Sequence, residues 1–458
     1  MEKSLEVGTA KVDVTPPHTI PYLGFVPRQG YFEGVHDPLY ARAAVIGDGT
    51  SEVAVVSVDS LGYSDLLVGR NGGLMEELGA RVKAAAGIPP ENLLVSATHA
   101  HSTPETCCIT AMESMPAVRA WFQAHLDQIA SAVAMAARRR RRCRLKAGSI
   151  QARGIAWNRR ILGRDGRLYA WHVRPPDDQI VDWGANDHEV GVWLFESVDD
   201  EEPVCTFVNF ACHPTTVQVQ PLVSADFPGL AMRIVEEELG GVALFLQGMC
   251  GNVRPVSTEH GFRDVRRHGL ALGGAVLHLA GILLQRDRSS AGTGIRVAIE
   301  RVFLPTRRDG PGEEELMKEI LELSSLERMA AHEGNEAARR NAAGKLRLAQ
   351  DRMRMVHMAR EWPTMQADVW ACRIGDAAMV GLAGEPFVEY GLRLKEISPA
   401  RQTMTLGYIN NWVGYLPNAQ AYERGGYEPS YGPWTRLAPG AGEQLTAVAE
   451  RLLLGLWR

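Results

Sequence analysis

The run Asn92-Leu93-Leu94-Val95 breaks directly into Ser96-Ala97-Thr98-His99-Ala100-His101-Ser102-Thr103-Pro104-Glu105-Thr106, and this junction constrains the chain more than any other stretch. A short apolar run reads as a buried strand. Pro104 and the small polar residues around it have the composition of a loop. Two histidines one residue apart at a strand end project to the same side, because strand side chains alternate with period 2. Neutral imidazole is the commonest protein ligand for a transition metal. A histidine pair satisfied by backbone hydrogen bonds explains the same two residues, and the pair alone does not choose between the readings.

The surrounding chain predicts an α/β fold. Gly8 to Val14 alternates like a strand and stops at Pro16-Pro17. Arg42–Ile46 and Val53–Ser60 read as strands joined by the turn Gly47-Asp48-Gly49-Thr50, and Asp59 ends the second, a usual place for a pocket residue. A helix over Arg70–Ala86 then leads into the strand before His99, which is βαβ logic. Val190–Phe195 and Val204–Phe210 pair across an acidic turn, and the second runs into Ala211-Cys212-His213-Pro214-Thr215, again a histidine at a strand end. Ser224 and Asp226 are N-cap candidates for a helix reaching Glu238.

Val242–Leu246 reads as a buried strand breaking into Gln247-Gly248-Met249-Cys250-Gly251-Asn252-Val253-Arg254-Pro255, and a helix from Asp264 to Leu284 covers the sheet. Residues 312–361 differ in kind. Glu, Leu, Met, Ala and Arg dominate them and His332-Glu333-Gly334-Asn335 interrupts them, so they read as a helical hairpin. The expectation is a layered mixed sheet flanked by helices, formed by residues 1–311 and 362–458. The insertion at 312–361 either packs over this core or makes a contact between copies in a homo-oligomer.

Glu385 follows the hairpin Ala367–Leu382 and precedes Pro386, where a favourable interaction with a helix dipole is the simpler explanation of a carboxylate and metal binding the alternative. The segment 406–417 and its continuation to Glu428 collect Tyr, Trp, Asn and Gly without a period, which suits an active-site wall.

A formal net charge of -5 argues against a nucleic-acid partner. The Arg138–Arg142 run follows an alanine-rich segment and reads as cations at a helix C-terminus. Seven cysteines without paired spacing predict reduced thiols and a cytoplasmic location. No leader-like apolar segment or stretch of membrane-spanning length stands in the sequence, so no stable membrane insertion is expected. No sequence period points to a repeat architecture.

Together the motifs Thr-His-x-His-Ser, x-His-Pro-Thr, Gly-Asn-Val-x-Pro and Gly-Glu-x-Phe, and a terminal stretch carrying Tyr415 and Tyr427, stand in an order that resembles the catalytic domain of the neutral (alkaline, non-lysosomal) ceramidase family. The resemblance implies a zinc ion held by His99, His213, Glu385 and Tyr415, with His101 beside it as an acid/base or oxyanion group. Arg159 and Tyr427 fall on positions expected to polarise a carbonyl and stabilise an oxyanion.

One departure bears on mechanism. The family's ceramidases place a serine, proposed as nucleophile, where this chain has Arg254, and Ser257 lies beyond Pro255. The expectation is therefore attack by metal-activated water, with Arg254 binding substrate charge or the oxyanion. The partner would be a small soluble substrate cleaved at an amide or related C–N or C–O bond. A lyase or glycoside-cleaving enzyme on the same site, or a silent binding homologue, are the alternatives.

Overall fold

The structure, a computed structural model, describes residues 4–24, 28, 30–170, 175–256, 261–285 and 292–458. Ser257 lies outside the described residues.

One βββαβα plan recurs three times along the chain. The first round comprises β1 (Leu5–Asp13), β2 (Tyr40–Gly47), β3 (Glu52–Val58), α1 (Gly73–Ala86), β4 (Leu93–Ala97) and α2 (Pro116–Ala137). The second comprises β5 (Arg141–Gln151), β6 (Glu189–Ser197), β7 (Pro203–Phe210), α3 (Asp226–Leu239), β8 (Val242–Gln247) and α4 (Phe262–Leu284). The third opens with β9 (Ile295–Pro305). The helical hairpin α5 (Glu313–His332) and α6 (Glu336–Glu361) precedes its β10 (Thr364–Ile374). It continues with β11 (Ala377–Leu382), α7 (Val388–Ile397) and β12 (Gln402–Leu406), then a short helix α8 (Ala419–Arg424) and the closing helix α9 (Ala441–Gly455). In each round three antiparallel strands are followed by a helix and a fourth strand parallel to the third. A parallel neighbour needs a crossover, and the helix supplies it.

Rounds one and two share an eight-stranded sheet of order β8-β7-β6-β5-β1-β2-β3-β4, joined where β1 meets β5. Round three forms a four-stranded sheet of order β9-β10-β11-β12. Alternating side chains separate the layers. Ala41, Ala43 and Val45 of β2 pack with α1 and α2, whereas Ala44 and Ile46 join Trp370, Cys372 and Ile374 of the second sheet. Met365, Ala367, Val369 and Ala371 point the other way, toward α7 and α9. The result is four layers, helix–sheet–sheet–helix, as expected of sheets that must bury both faces.

Three expectations need correction. The arginine run ends α2 at Ala137 but then starts β5. Arg140 pairs with Glu52, Arg141 with Asp200, and buried Lys146 with Glu196 at 2.9 Å. Long cationic side chains can occupy a strand if acids meet them across it, so this central strand hides in a run that reads as a helix end. The N-cap of α3 is Ala225, neither Ser224 nor Asp226. Asp226 sits one place later in a left-handed conformation (φ 54°), its carboxylate accepting from the N–H groups of Phe227, Thr216 and Val217. Asp59 is not in the histidine cluster; it binds Arg42 Nη1 at 2.7 Å and the Tyr40 N–H at 2.9 Å.

Candidate metal centre

The fourth strands of the three rounds come together at one end of the molecule. Ser96 bridges to Ile409 and Gly248 to Leu406, so β4 and β8 each continue onto the segment leaving β12. The side-chain amide of Gln247, at the end of β8, donates to Thr98 O (3.1 Å) and Cys212 O (3.0 Å). One buried amide thus ties the residue before His99 to the residue before His213.

His99 does not continue the strand. It takes a left-handed backbone (φ 62°), a conformation that costs energy outside glycine and clusters at functional sites. The turn, rather than strand alternation, brings the Nε2 atoms of His99 and His101 to 3.1 Å. His213 Nε2 lies 3.1 Å from Glu385 Oε2, and His99 Nε2 lies 3.4 Å from the same oxygen. Ligand atoms of His99, His101 and His213 all fall within 4.8 Å of one another, and all three rings are buried. Glu385 is held by register: Glu385-Pro386 pairs in parallel with Tyr415-Leu416, so Glu385 and Tyr415 are side by side. Gly251 lets the chain pass, since a Cβ there would sit 2.5 Å from the Glu385 carbonyl oxygen.

The orientation of the rings suits a cation, and the cluster could hold a metal ion. His99 Nδ1 faces Leu61 O, and His213 Nδ1 faces Cys250 O (2.7 Å) and Val253 O (2.9 Å). Carbonyl oxygens only accept, so both Nδ1 atoms carry a hydrogen, and each Nε2 is left facing a carboxylate oxygen of Glu385. Burial, then Arg159, lowers His213 to about 4, and burial with His99 and His213 lowers His101 well below the usual imidazole range. Burial opposes ionisation of Glu385, but the adjacent His99 and His213 outweigh it and hold the carboxyl well below its usual range. Two or three imidazoles and a carboxylate form a donor set suited to zinc and unlike the all-oxygen shells of magnesium or calcium.

Around this core, Arg159 donates through Nη2 to Tyr415 Oη (2.9 Å) and Gly251 O (2.7 Å), and through Nε to Glu428 (2.8 Å). Glu428 also pairs with Arg160 at 2.8 Å. Tyr427 is half-buried, its ring 5.8 Å from that of Tyr415 and stacked on Trp434. Arg254 extends its guanidinium over Trp157 (5.9 Å) and is 8% exposed; burial and nearby Arg159 lower it to about 10.

Of the eight residues expected from sequence, His99, His101, His213 and Glu385 converge within direct contact. Tyr415 and Arg159 form the adjoining layer, and Tyr427 and Arg254 stand farther out. Four neighbours had no role in the sequence reading. Tyr408 stacks on His99 (ring centroids 4.1 Å) and directs its hydroxyl at Glu385 Oε2 (3.4 Å). Trp412 Nε1 donates to Glu385 Oε1 at 2.9 Å. Gln247 and Glu428 complete the set. Tyr408 and Trp412 lie in the aromatic segment read as a wall, and that composition was their one signal.

Comparison with known proteins gives the family and the fold. The family described as neutral/alkaline non-lysosomal ceramidase, N-terminal, matches residues 5–256, more than half of the chain. Two solved structures share the fold. A ceramidase complexed with C2 superposes with a TM-score of 0.73 at 19% identity, covering 100% of this chain and 76% of that one. The neutral ceramidase from Pseudomonas aeruginosa gives 0.71 at 21% identity, covering 100% and 75%. No curated protein matches. Family and fold point to a hydrolase. This chain belongs to the neutral/alkaline non-lysosomal ceramidase family.

Proposed function

We propose that the protein is a zinc-dependent hydrolase that cleaves an amide, or a related C–N or C–O bond, of a small soluble substrate. The observation that carries this reading is the convergence of His213 Nε2 and His99 Nε2 on one carboxylate oxygen, Oε2 of Glu385. His99, His213 and Glu385 hold the cation, and Tyr415, kept in place by the Arg159 hydrogen bond, completes its shell. When bound, zinc supplies Lewis acidity toward a substrate carbonyl and makes water acidic enough to attack near neutral pH.

His101 then acts on the proton. Burial keeps its ring neutral, so Nε2 can take a proton from the attacking water and return it to the leaving group. Arg159 and Tyr427 stabilise charge growing on the carbonyl oxygen. Arg254, a buried cation above an indole, binds an anionic or carbonyl group of the substrate.

The test is bound metal. Wild-type protein should carry zinc near one equivalent, and His99→Ala and His213→Ala should each drop to background; full occupancy in both variants would defeat the assignment. The 3.1 Å approach of His101 to His99 favours a second reading, in which His101 is a ligand in place of Tyr415. Metal retained in His101→Ala but lost in Tyr415→Phe supports the first reading; the reverse supports the second. An acylated-substrate panel then identifies the bond.

A further inference from the structure

The two oxygens of Glu385 meet different neighbours. Oε2 faces His213 Nε2 at 3.1 Å and His99 Nε2 at 3.4 Å. Oε1 accepts the indole N–H of Trp412 at 2.9 Å. We propose that Trp412 is a positioning residue for the cation centre: its N–H keeps Oε1 engaged, so that Glu385 ligates through Oε2 alone. This rests on the metal reading above and adds to it a residue that touches neither cation nor substrate.

An indole nitrogen is a donor only, and a hydrogen bond from it to a buried carboxylate is charge-assisted and therefore strong. Outer partners of this kind fix the orientation of metal-binding carboxylates. For Trp412 to do so, its own ring must be immobile, and the surroundings make it so. The ring is 1% exposed. The Arg436 guanidinium lies 4.7 Å over it and is itself tied to Ser64 Oγ, Cys107 O and Cys108 O at 2.9, 2.7 and 2.8 Å.

On another side Gly62 adopts φ 146°, and a Cβ there would stand 3.2 Å from the Trp412 ring. The backbone is pinned as well. Trp412 N–H donates to Tyr63 O (2.6 Å), Asn411 Nδ2 to Gln366 O (2.6 Å), and Asn410 Nδ2 to Asp368 (2.9 Å). Asn410 also takes the Val95 N–H on β4, the strand that leads to His99 (3.2 Å). The segment that aims the indole is thus fastened to the strand that delivers the first histidine.

Trp412→Phe keeps an aromatic ring under Arg436 and removes the donor. Zinc affinity, measured by competition with a chelator, should fall roughly 10- to 100-fold. The visible absorption of the cobalt-substituted protein should shift, because the freed Oε1 can now enter the shell. The metal-free melting temperature should fall by several degrees, because the smaller ring leaves a gap and Oε1 loses its donor, so the cobalt spectrum, which packing loss alone would not change, is the deciding readout. In a Glu385→Ala background the same change should produce no further loss of affinity.

Unchanged affinity and cobalt spectrum in Trp412→Phe, or an equal loss in the Glu385→Ala background, would overturn the proposal. A second measurement does not depend on that variant folding: the Trp412 indole N–H resonance of ¹⁵N-labelled wild type should shift on zinc addition, and no shift counts against the proposal. If the wild type binds no zinc, the metal reading itself falls. If it binds zinc and Trp412→Phe does so identically, only the role of Trp412 falls.

Discussion

His125 on α2 shows how burial alone sets a proton equilibrium away from the centre. It lies 2.7 Å from the Tyr63 hydroxyl, and burial lowers it from 6.5 to about 4. The folded state therefore refuses a proton that the unfolded chain accepts. Stability is level above pH 6.5, falls as the pH drops from 6.5 toward 4, and levels again below. The full effect is roughly 3 kcal/mol for this one group. Urea unfolding of wild type and His125→Gln across that window should give curves that converge as the pH falls, because the variant lacks the penalty; a constant difference between them would refute this. The histidines of the centre were readable as residues because imidazole pairs at strand ends are rare chemistry in a plain context. Trp412 and Tyr408 were not, since an aromatic ring announces burial and only its contact with Glu385 gives it a role.

The three rounds of strands place functional side chains at recurring addresses. The third residue beyond the third strand is Leu61, His213 or Glu385. The second beyond the fourth strand is His99, Met249 or Tyr408. His99 and Tyr408 share the left-handed conformation at this place, and the Leu61 carbonyl fixes His99 Nδ1. Most of the strands were legible as apolar runs, with β5, β9 and β12 (Gln402-Thr403-Met404-Thr405-Leu406) the exceptions. β5 begins in arginines, and β9 is a half-exposed edge strand whose Glu300-Arg301 pair breaks its pattern. The recurrence was not legible, because the connections 14–39, 152–188 and 306–363 differ in length and content, and no residue motif repeats with the strands. Gln247 ties the ends of two rounds together beside the histidines. Gln247→Met keeps the side-chain length but leaves the Thr98 and Cys212 carbonyls without their donor, at roughly 1–3 kcal/mol for each orphaned group. Thermal melting should drop by several degrees and zinc affinity should fall with it. Unaltered values of both would show that these ties do not hold the two histidines.

At the scale of the whole molecule, the four layers enclose all seven cysteines as free, buried thiols. Their distribution makes them reporters of how the layers separate. Cys143, Cys205 and Cys372 lie in the cluster between the two sheets, and reaching them requires the sheets to part. Cys107, Cys212 and Cys250 lie in the cluster that includes α3 and α4. Cys108 lines a cavity of about 360 Å³ beneath α6. There Arg354 of α6 bonds Ile109 O, Thr110 O and Glu113, so lifting the helical hairpin uncovers the segment around Cys108. The hairpin contributes few residues to the shared core, with α5 burying only Leu316 and Ala330, and should be the least stable part of the structure. Burial also raises these thiols, Cys143 to about 12, so they stay unreactive while folded. Native protein should therefore consume no thiol reagent at pH 8, and denatured protein should titrate seven groups. Pulse labelling at intermediate denaturant, read by peptide mass spectrometry, should modify Cys108 first. Cys143, Cys205 and Cys372 should follow last and together. Early labelling of any of these three ahead of Cys108 would mean that the sheets separate before the hairpin lifts, and that the inner sheet–sheet layer is not the last to give way.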